Sequence, residues 1–104
     1  MSFRRDRFAD LVRRQLDLFA EDDAELLREA DEAERAYDGA ERAAAEELFG
    51  DYQLVLEAIT ERLEEIRDTY ASSLEVRARD EYERSFDRLA ARRYPRSFGT
   101  TSRP

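Results

Sequence analysis

The chain contains no cysteine, histidine, tryptophan, lysine or asparagine. Without cysteine and histidine there are no disulfides, no thiolate nucleophiles, no imidazole acid–base groups and none of the usual zinc ligand sets. Most ordinary catalytic machinery is thereby removed, so the expectation is a non-enzymatic protein with no cofactor, no metal and no evident small-molecule substrate. Glycine (three) and proline (two) are scarce, and runs of alternating β-branched residues are missing, which points away from sheet and towards long helices. No apolar run approaches the roughly 20 residues that a membrane-spanning helix needs. Met1-Ser2-Phe3-Arg4-Arg5-Asp6 leads into no apolar stretch of signal-peptide length either. The expectation is a cytoplasmic protein without a membrane span.

What the sequence has is charge. Of its 104 residues 42% are charged, the net charge is −8 and the pI is about 4.7. A chain of this length forms one domain with a modest core.

Apolar residues recur in two interleaved seven-residue series, Val12, Phe19, Leu26, Ala33, Ala40 and Leu16, Asp23, Ala30, Tyr37, Ala44. This is a coiled-coil-like seam interrupted only by Asp23. Asp10/Arg14, Asp31/Arg35 and Asp38/Arg42 place acid four residues before base on the outward face, the favourable order for helix support. A second seam runs through Tyr52, Leu56, Ile59, Leu63, Ile66 and Tyr70, then slips to Leu74, Ala78, Tyr82, Phe86 and Leu89. Pro95 ends it at Tyr94, because the residue before a proline is disfavoured in a helix.

Between the seams lies Glu47-Leu48-Phe49-Gly50-Asp51-Tyr52. Gly50 suits a helix end and Asp51 suits the start of the next helix. The expected fold is therefore all-α: an antiparallel helical hairpin over 1–94 with arms of about 4–49 and 51–94, a turn at Gly50, and a disordered tail over 95–104. In that register residue i faces roughly residue 100 − i, setting Ala44 against Leu56, Tyr37 against Leu63, and the seam charges Asp23 and Arg77 against each other. Phe8, Leu11, Leu18, Leu48, Phe49 and Val55 would remain uncovered. This predicts a homodimer forming a four-helix bundle. The alternative is a compact bundle of three or four shorter helices, broken near residues 22 and 72 where Asp22-Asp23-Ala24-Glu25 and Ser72-Ser73-Leu74-Glu75 have capping-box spacing.

Charge is unevenly distributed. Residues 1–14 carry five Arg and two Asp (+3), residues 88–104 five Arg and no acid (+5), leaving −16 for the rest. A hairpin would gather Arg4, Arg5, Arg7, Arg92, Arg93, Arg96 and Phe98 at one end as a partner-binding set. The chief expectation is a protein–protein interaction or self-assembly module, binding itself and possibly another protein. Nucleic acid is the alternative partner, since arginines interleaved with aromatics hold phosphates and stack on bases.

Paired acids Glu29/Glu32 and Glu61/Glu64 resemble those of the all-helical nucleotide pyrophosphohydrolases, which bind magnesium; the resemblance implies a Mg²⁺-dependent enzyme as a second alternative. The mid-chain Leu48-Phe49-Gly50 resembles the Trp-x-Gly turn of small secreted helical hairpins, without the Trp.

Overall fold

The computed structural model describes residues 6–99. Four α-helices follow one another: α1 (Ala9–Asp22), α2 (Ala24–Asp38), α3 (Arg42–Ala71) and α4 (Val76–Arg93), closed by a C-terminal π-helical turn over Pro95–Gly99. The fold is all-α, with no strand among the described residues.

The hairpin turn lies elsewhere than the sequence suggests. Gly50 and Asp51 sit inside α3, which runs unbroken for 30 residues, and the chain reverses instead across Gly39, Ala40 and Glu41. Two properties of α3 explain this. Ala43, Ala44 and Ala45, followed by Glu46, Glu47 and Leu48, precede Gly50 and are strong helix formers, so a single glycine at a cost of about 1 kcal/mol does not stop the helix. Tyr52, Ile59 and Leu63 are buried along the same side, and this shared face contributes more than the propensity of one residue. Gly50 has only open space where a side chain would stand. No described residue has positive φ, so neither turn relies on a left-handed glycine.

The first arm is interrupted at one residue. Asp23 has φ −112° and ψ 32°, yet its N–H still donates to the Phe19 carbonyl (2.8 Å) and its carbonyl accepts from Leu27 N–H (3.1 Å). No capping box forms there. The break at Ser72–Glu75 has a side-chain cause. Ser72 Oγ donates to the Thr69 carbonyl (2.8 Å) and Ser73 Oγ to the Tyr70 carbonyl (2.7 Å), so the hydroxyls satisfy the end of α3 instead of capping α4.

α3 is the spine. Tyr37 of α2 meets Phe49 and Tyr52, and Asp23 meets Arg62, so α2 runs antiparallel along the N-terminal half of α3. Tyr70 meets Tyr82, and Arg67 joins Asp87 at 2.9 Å, so α4 returns antiparallel along the C-terminal half. α1 lies parallel to α4, with Phe8 against Tyr82 and Phe19 against Tyr94. The body therefore has helices on two sides of the spine, whereas the projecting hairpin consists of α2 and α3 alone. The outline measures 55 × 30 × 22 Å with a radius of gyration of 16.2 Å, against about 13 Å for a compact chain of this length.

Nearly all of the core belongs to the body: Val12, Leu16 and Phe19 from α1, Ile59, Leu63 and Ala71 from α3, Tyr82, Phe86, Leu89 and Ala90 from α4, with Ala30 from α2. Phe8, Leu11 and Val55, expected to be bare, pack against it. Asp6 anchors the start of α1. One carboxylate oxygen accepts from Phe8 N–H (3.1 Å); the other accepts from buried Ser85 Oγ (2.8 Å) and pairs with Arg88.

Among the described residues no helix is long and apolar enough to cross a membrane.

Candidate functional site

Where α2 and α3 diverge from the body they form a fork, and the chain beyond α4 lies across it. Pro95 cannot donate to the helix ladder and forces Tyr94 out of helical geometry (φ −129°, ψ 63°). The chain then makes a helical turn, with Phe98 N–H donating to the Tyr94 carbonyl four residues back (2.8 Å).

Residues 95–99 are therefore ordered, contrary to the expected tail; residues 100–104 lie outside the described residues. The composition of 95–99 suggests too little apolar surface to pack, but a few directed contacts suffice. Thr60 Oγ1 donates to the Ser97 carbonyl at 2.6 Å, Phe98 packs edge-on against Phe86 with ring centroids 6.1 Å apart, and Arg96 forms an ion pair with Glu34.

The fork is aromatic and acidic. Tyr37 and Tyr52 lie nearly parallel with centroids 6.5 Å apart, and Phe49 tilts against Tyr37 at 5.2 Å. Tyr52 is 8% exposed. Its hydroxyl oxygen receives a long contact from Arg96 Nη1 (3.4 Å), beyond the usual 2.7–3.2 Å range of a good N–H···O bond. Its own O–H finds no acceptor among the described residues. Burial first, then the carboxylates of Asp38 and Asp31, raise the Tyr52 pKa above the ordinary 10.0. Two grooves flank Arg96. One, of about 480 Å³, is lined by Leu27, Ala30, Asp31, Ile59, Tyr94 and Pro95 among others. The second, of about 380 Å³, is lined by Glu34, Tyr37, Asp38, Phe49, Tyr52 and Leu56, with Gln53 and Arg96 at its edge.

The proposed basic end is not assembled. Arg4 and Arg5 lie outside the described residues. Arg7 is paired with Glu81 (3.0 Å) on α4, Arg93 with Asp17 (2.5 Å) on α1, and Arg96 with Glu34 on α2. Arg92 is exposed, and Phe98 is half-buried beside the core. The described ends both reach the Ser85–Arg88 stretch of α4, Asp6 through Ser85 and Arg88 and Phe98 through Phe86, but the arginines around them are each tied to a different helix. That dispersal follows from the turn at residues 39–41. A turn at Gly50 would bring both arms level, whereas the observed one lets α4 stop midway along the spine.

The Asp23–Arg77 pair does not form. Asp23 accepts from Arg62 Nε at 3.2 Å and Arg77 is exposed on α4, again because the register differs. Asp10 pairs with Arg13 (3.1 Å), not Arg14. Asp31 and Asp38 form no ion pair among the described residues; α2 ends at Asp38, so Arg42 is not one helical turn away. Glu29, Glu32, Glu61 and Glu64 all lie on exposed faces, and no group of three or more acidic side chains converges as a metal site among the described residues.

Glu34, Tyr37, Phe49, Tyr52 and Thr60 carry no sequence signal that marks them as site residues. Tyr37 and Tyr52 sit on the seams, which marks them as inward-facing, but only the true register brings them together. Comparison with family models, with characterised proteins and with solved structures finds no match for this chain.

Proposed function

We propose that this protein is a non-enzymatic helical interaction module that engages its partner, in the first instance a second copy of itself, through the projecting α2–α3 hairpin. One observation carries the reading. Over residues 31–58 Tyr52 alone is buried, while Phe49 and Leu54 are exposed at 42% and 65% and Leu48 is half-buried outside the core cluster. A pair of helices with so thin an interior gains most from a partner that covers it. Two hairpins side by side make a four-helix bundle, the arrangement in which each supplies the layer the other lacks.

Light scattering across a concentration series is the test. A mass rising towards twice 12.2 kDa, and falling back when Phe49 is replaced by Glu, supports the reading. A species of one-chain mass at tens of micromolar removes self-association.

A further inference from the structure

The α2–α3 fork carries more recognition chemistry than the C-terminal turn uses. Arg96 takes Glu34 and touches Tyr52, but Asp31 lines the groove on one side of it and Asp38 the groove on the other, both without ion partners among the described residues. The groove beside Arg96 is still open. Its walls are the ring faces and edges of Tyr37, Phe49 and Tyr52, and at its base stands a buried phenol whose O–H is unused among the described residues.

Aromatic faces beside carboxylates attract cations, and a planar guanidinium suits both partners, stacking on a ring while donating to a carboxylate. The field around the site has one sign: residues 31–58 contain nine acids and two Arg.

We propose that the groove between α2 and α3 is a receptor for an arginine side chain carried on a basic peptide segment of a partner protein, with Arg96 as its intramolecular occupant. The seated segment shows what is recognised. Arg96 meets acid and phenol, the Ser97 carbonyl accepts from Thr60, and Phe98 two residues on packs against Phe86. Arginine is the side chain this groove selects; the slot beside Phe86 stays filled by Phe98. Arg96 itself is 62% exposed, so it can leave without opening the core. The inference rests on the interaction-module reading for where the partner lands, and does not require the chain to self-associate.

Fluorescence anisotropy with a labelled synthetic peptide reproducing residues 92–98 tests this on the full-length chain. An internal occupant that holds Glu34 and Tyr52 about nine-tenths of the time lowers apparent affinity about tenfold. Arg96→Ala is therefore expected to bind the peptide about tenfold more tightly than the wild type. Arg96→Gln, which keeps most of the aliphatic stem and removes the charge, is expected to do the same and serves if Arg96→Ala loosens the turn; helicity by circular dichroism reports that.

Glu34→Gln with Asp38→Asn in the Arg96→Ala background is expected to abolish the gain. A peptide with alanine in place of its third arginine is expected not to bind. Equal affinity for wild type and both Arg96 variants overturns the proposal, as does binding that survives loss of the two carboxylates. If unlabelled wild-type chain displaces the peptide as well as free peptide does, the occupant is a second copy's own C-terminal segment and the partner assignment falls. Tight binding by a chain that scatters as a monomer supports the groove while removing self-association, and a dimer that ignores the peptide does the reverse.

Discussion

The body and the hairpin share one helix, and the difference between them lies in what the rest of the chain places beside it. In the body, α4 packs on α3 and α1 packs on α4 and α2; Leu63, Tyr82 and Phe86 are fully buried, and polar groups are matched, as where Tyr82 donates to Gln15 Oε1 at 2.8 Å. Arg67, 21% exposed, is held there by Asp68 and Asp87. Burial opposes its charge, but the two carboxylates together raise its pKa above the ordinary guanidinium value. In the hairpin the same helix meets only α2 and the edge of the C-terminal turn, and one tyrosine is all that is buried. A two-helix layer has a seam, whereas a three-helix layer has an interior. The comparison separates what the chain needs in order to fold from what it has left over for a partner.

Breaking the body should be the costliest change. Phe86→Ala, at a fully buried site touching Tyr82 and Phe98, is expected to lower stability by about 3 to 5 kcal/mol, measured by urea unfolding.

Alkaline pH should act on the body next. Burial, partly offset by the bond to Gln15, pushes the Tyr82 pKa up to about 12. A raised folded-state value means that its contribution is fully present below the unfolded tyrosine value of 10.0 and is lost as pH rises through about 12. Unfolding midpoints are expected to fall over that window, and Tyr82→Phe to flatten the fall. Acid acts through Asp6 with the opposite sign. Burial raises its pKa, but Arg88, Ser85 and the Phe8 N–H together hold it below 3.8, so its contribution is present above that value and lost as pH drops beneath it.

Within the hairpin, Gly50→Ala is expected to stabilise by about 0.5 to 1 kcal/mol, because it replaces the weakest helix former inside a helix at a site with open space around it. Gly39→Ala, between helices at φ −94°, is expected to gain less. The reverse order of these two thermal shifts would place the turn at Gly50 after all. Smallest of all, at concentrations low enough to keep the chain monomeric, should be Leu54→Ala, within about 0.5 kcal/mol, since its side chain is 65% exposed. A larger loss at high concentration would mean that the second copy covers Leu54.

Faces were legible in the sequence and partners were not. The seam series marks Val12, Leu16, Phe19, Ile59, Leu63, Tyr82, Phe86 and Leu89 as inward-facing, and all are buried. Periodicity reports which side of a helix is apolar, a local property. Where a helix ends depends on competition between weak local preferences and packing across the molecule. Asp38-Gly39 and Gly50-Asp51 offer nearly the same residues, and only the length of spine that α2 and α4 must share distinguishes them.

The interruptions at Asp23 and Ser72–Glu75 fall near the two positions where capping-box spacing suggests breaks, though neither box forms. The fork could not be read in sequence. It needs Glu34, Tyr52, Thr60 and Arg96, which no local pattern connects.

The unbroken passage of α3 through Gly50 has a mechanical consequence. A helix of 30 residues is about 45 Å long at 1.5 Å per residue, and one half is clamped in the body while the other projects with α2 beside it. The pair is a beam fixed at one end. A force applied near Phe49 becomes torque at Leu63 and Tyr70, where the aromatic cluster of Tyr70, Tyr82 and Phe86 forms the bearing surface. A partner gripping the tip would therefore hold a lever whose fulcrum is the core itself.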